Sequence, residues 1–397
     1  ATRGVRSVIS ELRVEPAFRS DDAIAADVRQ ALLEDPVTEA FEVEVDVTEA
    51  TVTLRGDVES WAEKELAGDV AAGVRGVRDV TNLIEIDAMA LRTDEEIERE
   101  IEALLASHVM LDDALIDVTV EDGEVTLDGS VGSAAEREHA FRSAWVDGVE
   151  SVDTDGLEIR WWVDDPMTRD AMPQPTDTEI RRAILDAYLL SPRVASFNPT
   201  VEVENGAVTL GGTVENLQAK REAGRIAWHT VGVESVRNDL EVLPSSVLED
   251  IELANVVRDA LLRDPYLQAY DVTVIADDGI VTLTGEVETE FARERAEGVA
   301  GRQQSVVAVV NTIDVDAEWI AKPDDALEAD VEAELFWNPW VPSEEVAVTV
   351  ADGDVMLTGT VDSWFVRQQA ELEAYEAGAR EVDNALLVDL VPDIGAQ

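Results

Sequence analysis

The chain holds three histidines, His108, His139 and His229, and metal binding or base catalysis at neutral pH would have to be built around them. They stand in three different settings without HExxH or comparable ligand spacing, so neither a metal nor a His-dependent triad is assigned to them. Carboxylates number 87, and neighbours such as Asp277 with Asp278 or Glu344 with Glu345 arise from abundance alone. Their positions read as turns and surface rather than as an acid/base pair. No loop follows the D-x-[DN]-x-[DN]-G calcium pattern. The stretch "GVRGVRDV" from Gly73 has glycines but no following helix pattern to cradle a phosphate. With no cysteine, disulfide and thiol chemistry are excluded. The expectation is a protein that is not an enzyme, with no catalytic residue, no cofactor and no metal.

Apolar side chains are the other candidates. "LFWNPWVP" at 335–342 places Phe336, Trp337 and Trp340 together between a helix pattern and a strand pattern. They are read either as closing a small core or as an apolar binding edge for a lipid surface or a neighbouring chain. The first 20 residues carry Arg3, Arg6, Arg13 and Arg19 against two acids, and Val5, Val8, Ile9 and Leu12 recur at helical spacing before Pro16. This segment is read as a helix capping the first repeat or as an arm reaching an acidic neighbour. Candidate self-association or apolar-surface residues are therefore Val5, Val8, Ile9, Leu12, Phe336, Trp337 and Trp340. Trp161 and Trp162 are candidate anchors of a linker. Trp61 and Trp364 each follow a helix-cap residue and are read as helix-packing residues.

The elements that must position these residues are repetitive. "VTLDGSV" at 125 returns as "VTLRGDV" at 52, "VTLGGTV" at 208, "VTLTGEV" at 281 and "VMLTGTV" at 355. A fixed period of this size means tandem domains. Each copy opens with a helical pattern such as "DDAIAADVRQALLEDP", in which Ile24, Val28, Ala31 and Leu32 share one face. Thr93 with Glu96 and Thr176 with Glu179 have capping-box spacing, and Asp22 and Asp324 are placed to cap their own helices. Two alternating strands follow, joined by Asp-Gly or Asn-Gly in most copies, which supplies the positive φ of a hairpin turn. Beyond the second strand stand Ser60, Ser133, Asn216, Thr289 and Ser363, each a good N-cap for a second helix. A third strand closes the copy, as in "VRDVTNLIEI". Copy two, "VESVDTDGLEI", carries one extra residue and lacks the Asn, which predicts a bulge.

The order helix, strand, strand, helix, strand, with the "V.L.G.V" strand and the closing "V.N.L.V" strand, resembles the BON family (bacterial OsmY and nodulation). The resemblance covers 22–86, 94–159, 177–242, 250–315 and 324–388. It implies an α+β architecture of five αββαβ domains, each a three-stranded sheet with two helices on one face. Residues 1–20 form an N-terminal arm, 389–397 a tail, and 160–176 a Pro-containing linker expected to divide the molecule into an arm of two repeats and an arm of three. The resemblance further implies envelope, phospholipid-association or osmotic-stress roles.

Charge narrows the partners. Against the 87 acids stand 30 Lys and Arg, a net charge of -57. Such a surface repels itself strongly at low salt, while the Debye length falls to about 3 Å near 1 M. Regular Val, Leu and Ile spacing argues against acidic disorder. The composition resembles that of halophilic archaea. No basic stripe is present to neutralise phosphates, so nucleic acid is not an expected partner. No apolar run approaches the length of a membrane span. The expected partner is the chain itself, as a homo-oligomer or filament of a halophile, with a lipid surface as the alternative. The location follows as the cell surface if a presequence was removed, and otherwise the cytoplasm of a high-salt cell.

Overall fold

The computed structural model of the chain describes residues 19–38, 41–86, 92–108, 110–111, 115–160, 175–315, 322–361 and 363–388. Each repeat carries two helices: α1 (Asp21–Glu34) and α2 (Trp61–Ala72), α3 (Asp94–Ser107) and α4 (Ala134–Ser143), α5 (Asp177–Leu190) and α6 (Leu217–Trp228), α7 (Asp250–Arg263) and α8 (Glu290–Gly301), α9 (Asp324–Trp337) and α10 (Trp364–Glu376). The first helix of a repeat buries branched residues four apart, such as Ile97, Ile101 and Leu105. The second buries alanines at the same interval, such as Ala219, Ala223 and Ala227. Small residues let this helix lie close to the sheet, and the larger side chains of the first helix fill the remaining volume.

Capping follows the sequence in most copies. Thr93 and Thr176 form capping boxes with Glu96 and Glu179, and all five predicted second-helix caps accept from the backbone. Asp22 and Asp324 do not cap. Ser20 caps α1, and Pro323 stands at the cap position of α9 without a side-chain bond. The first residue of the helix has a different task in every repeat. The carboxylates of Asp21, Asp94, Asp177, Asp250 and Asp324 accept backbone N–H groups of the hairpin turn of their own repeat, for example Asp122 at 2.9 Å and Gly123 at 3.1 Å for Asp94. Charge-assisted bonds of this kind tie helix to hairpin across 28 or 29 residues of sequence.

In every three-stranded sheet the second hairpin strand is central, antiparallel to the first and parallel to the third. Its glycine is needed where the neighbouring strand passes close: a Cβ on Gly129 would lie 2.1 Å from the Leu115 carbonyl oxygen, and one on Gly359 would lie 2.0 Å from that of Glu345. The third-strand asparagines Asn82, Asn238, Asn311 and Asn384 donate to a second-helix carbonyl and accept from the N–H two residues on, so one amide locks helix to strand. Repeat 2 lacks this residue, and its strand Ser151–Ile159 shifts register against Glu124–Val131 between Thr126 and Asp128, as the extra residue predicts.

Repeats 1 and 2 each enclose a core, repeats 3 and 4 share one, and Met110 of repeat 2 lies in the core of repeat 5. The expected division into two separate arms does not hold. Repeat 1 packs on repeats 2, 3 and 4, joining residues on both sides of the Pro-containing segment. The charge pattern carries the reason: Glu34 and Asp35 meet Arg263 and Arg193, contacts that sequence distance conceals.

Candidate assembly surface

The repeats meet at one end, where the first helix terminates and the chain turns after the second. Between repeats 1 and 4 the backbone N–H of Arg75 donates to the Arg263 carbonyl at 2.8 Å. Between repeats 3 and 2 the N–H of Val231 donates to the Ser107 carbonyl at 2.9 Å. These are the same two positions. Arg263 and Ser107 end the first helix, and Arg75 and Val231 precede the positive-φ glycines Gly76 and Gly232. A cavity of about 70 Å³ between repeats 1 and 4 is lined by equivalent residues of both, including Ala31 and Ala260, Asp35 and Asp264, and Val70 and Val299. Equivalent positions therefore face one another as across a two-fold axis.

The charges at this junction are complementary. Glu34 and Arg263, the same position in the two repeats, form an ion pair with side chains 12% and 15% exposed. Burial raises the Glu34 carboxyl above its usual range, opposed by the Gln30 hydrogen bond and by Arg263. Asp35 takes Arg193 of repeat 3 at 3.1 Å, and Asp264 takes Arg295 at 2.7 Å. Burial, with Arg295 and Arg193 nearby, lowers Arg302.

At the second junction the three histidines come together. His108 lies 5.4 Å from His139 and stacks on His229 at 5.9 Å between ring centroids. His229 meets Phe365 at 5.2 Å and His139 meets Trp340 at 6.4 Å, so repeat 5 closes over the junction of repeats 2 and 3. Burial depresses His139, with Arg142 and Arg225 adding to the effect, and drives His229 down to about 4. The His108 Nδ1 accepts from the Met110 N–H, and no group of metal-ligating geometry is formed among the described residues. Reading the histidines as three separate settings is thus corrected. They mark one junction, where their rings pack together. Their rarity was the available signal.

The aromatic candidates divide. Trp340 is enclosed against Phe365 and His139, and its indole N–H is buried without an acceptor among the described residues. Phe336 and Trp337 pack edge to face at 5.1 Å yet remain 48% and 52% exposed. Trp61 packs across repeats, stacked on Trp145 at 5.5 Å and edge-on to Phe141. Val5, Val8, Ile9, Leu12, Trp161 and Trp162 lie outside the described residues, as does the Trp364 side chain. Sequence reasoning missed Leu33, Leu189 and Leu262, which occupy the position of Phe336 in their repeats and are exposed. The signal was present in the aligned copies. No described helix is long and apolar enough to cross a membrane.

The chain is similar to osmotically-inducible protein Y of Escherichia coli strain K12, with 34% identity over 142 residues, covering 34% of this chain and 68% of that protein. It is similar to the outer membrane lipoprotein DolP of Haemophilus influenzae, with 33% identity over 110 residues, 27% of this chain and 56% of DolP. Among solved structures, the C-terminal domain of CdsD, a structural protein of the type III secretion system of Chlamydia trachomatis, is 18% identical with a TM-score of 0.15, covering 48% of this chain and 89% of that one. The BON domain model matches residues 20–88, 93–160, 176–244, 249–317 and 323–389, one match for each αββαβ repeat, and the chain belongs to the BON domain family as five such domains in tandem.

Proposed function

We propose that the chain is a non-enzymatic binding and assembly protein that self-associates into an oligomer or filament through its BON domains. One observation carries this reading. The domains already dock on one another by a repeated contact, while apolar residues at the same end of the fold, Phe336 and Trp337 foremost, stay exposed. The N-terminal arm, with Val5, Val8, Ile9 and Leu12, adds apolar surface to such contacts, and Trp161 and Trp162 anchor the linker. A net charge of -57 opposes association in dilute salt, so the assembly belongs to a salt-rich setting. Sedimentation velocity and negative-stain microscopy of lipid-free protein, with and without residues 1–20, test it. Oligomers that grow with KCl and shrink on deletion of the arm are the expected result, and a monomer under all conditions refutes it.

A second reading is supported by the names of the relatives, an osmotically-inducible protein and an outer membrane lipoprotein. The exposed Phe336–Trp337 pair then serves as a peripheral contact with phospholipid. Flotation with anionic and zwitterionic vesicles separates the two: binding by a chain that stays monomeric favours the lipid reading.

A further inference from the structure

We infer that the cavity between repeats 1 and 4 binds a single small monovalent anion, chloride in a salt-rich setting, on the guanidinium of Arg302. Its wall takes in Glu34, Asp35 and Gly73 from repeat 1 and Arg263, Asp264, Arg295 and Arg302 from repeat 4. Each carboxylate there already has its own arginine: Glu34 has Arg263, Asp264 has Arg295 at 2.7 Å, and Asp35 has Arg193 of repeat 3 at 3.1 Å. Arg302 is left over, and its side chain makes no hydrogen bond or ion pair among the described residues. Four positive charges thus meet three negative ones, in a chain whose net charge is -57. Asp27 and Asp259 also act on Glu34, but they do not line the cavity.

The repeats themselves explain why space remains at this point. Arg302 is the C-cap residue of α8, and the matching C-caps are Gly73 of α2 and His229 of α6. At the junction of repeats 2 and 3, His229 is packed against His108 and against Phe365 of repeat 5. At the junction of repeats 1 and 4 the counterpart of Arg302 is a glycine, and no aromatic ring lines the cavity among the described residues. A second polar group calls for a ligand in the same place. Gln303 is 7% exposed and lines the cavity; its Nε2 donates to the Val299 carbonyl at 2.9 Å, while its buried Oε1 has no donor among the described residues. A guanidinium without a counter-ion and a buried acceptor without a donor each carry a penalty. A hydrated halide answers both, because the ion accepts from Arg302 and its water donates to Gln303. A cavity of about 70 Å³ admits an ion with its water. One surplus positive charge matches one negative charge, whereas Glu34, Asp35 and Asp264 repel a dianion such as sulfate. Burial, followed by Arg295 and Arg193, lowers Arg302 below the usual guanidinium range, and an anion beside it offsets that cost. Since the cavity exists only when the junction is closed, binding favours closure by mass action. A dissociation constant near about 0.3 M lowers the open population about tenfold at about 3 M chloride.

The test follows hydrogen exchange at the Arg75 amide, which bonds to the Arg263 carbonyl across the junction, in the full-length protein. Sodium chloride and sodium sulfate are compared at equal ionic strength, so that screening is held constant. Relative to Arg302→Gln, the wild type is expected to gain about fivefold or more in protection as chloride rises from about 0.1 to about 3 M, and to gain nothing in sulfate. Gly73→Glu supplies a tethered carboxylate from the opposite wall. Gly73 has right-handed helical backbone, and a Cβ there meets nothing nearer than 3.5 Å, so the side chain is accommodated. This variant is expected to protect the Arg75 amide already in dilute salt and to lose the chloride dependence. In crystals grown with bromide, an anomalous peak beside Arg302 that is missing in Arg302→Gln locates the ion. A chloride gain that survives in Arg302→Gln, or that sulfate reproduces, overturns the site. A bromide peak without a chloride-specific gain marks an adventitious ion only and overturns it as well.

Discussion

Acidification is expected to open the junction of repeats 2, 3 and 5. His229 titrates near 6.5 when free and near 4 in place, because burial among His108, His139 and Phe365 disfavours the imidazolium and Arg225 repels it. The other charged groups facing the cluster are Arg142, Glu138 and Glu222, and the two glutamates oppose the shift. Since the pKa is depressed in the closed state, the open state binds more protons between pH 6.5 and 4. The junction is therefore fully stable above pH 6.5 and weakens as pH falls toward 4. Allowing for partial solvent access, the loss by pH 5 is about 1–2 kcal/mol, or about a 5- to 30-fold rise in the open population. Glu373, raised by burial, works in the opposite direction, so the wild type must be compared with His229→Gln. Hydrogen exchange at the Val231 amide, which bonds to Ser107 across the junction, is the assay. After correction for intrinsic exchange chemistry, protection is expected to fall between pH 7 and 5 in the wild type and to fall less steeply in His229→Gln, in which the depressed His139 still titrates. Equal pH dependence in the two proteins refutes the reasoning.

Three further outcomes are expected. Asp94→Ala leaves the Asp122 and Gly123 amides without their carboxylate and lowers stability by about 1.5–3 kcal/mol, read as a drop in Tm; Asp22→Ala, which holds no turn, leaves Tm unchanged. Arg263→Glu faces Glu34 with a like charge at a junction largely closed to water and weakens it by about 3 kcal/mol, and adding Glu34→Arg restores the pair, followed by exchange at the Arg75 amide. Raising KCl from dilute buffer toward molar concentration increases Tm steeply, because a net charge of -57 is progressively screened; a flat response contradicts the electrostatic account.

The fold was legible because its determinants are local. Ser60 with Glu63, the positive-φ Asp122-Gly123 turn and the alternation of Val125 and Leu127 all act within a few residues. Even the register shift of repeat 2 could be read from one inserted residue. The site was not legible, because it depends on contacts between distant segments. His108, His139 and His229 share no spacing, and Glu34 lies 229 positions from Arg263. The hairpin clamp lay between these extremes. An aspartate opens all five first helices, and a helix start offers a carboxylate reasons enough of its own, so its bond to a turn 28 residues away could not be inferred from position.

The central claim, that these BON domains assemble the chain with copies of itself, is tested most directly by sedimentation equilibrium of the lipid-free, full-length protein. At about 3 M KCl, where the Debye length is below about 3 Å, the account predicts a concentration-dependent mass of two chains or more. Dilution into low salt, where the net charge of -57 is left unscreened, should return the mass to one chain. A single-chain mass at tens of micromolar in high salt, with no dependence on concentration, would contradict it.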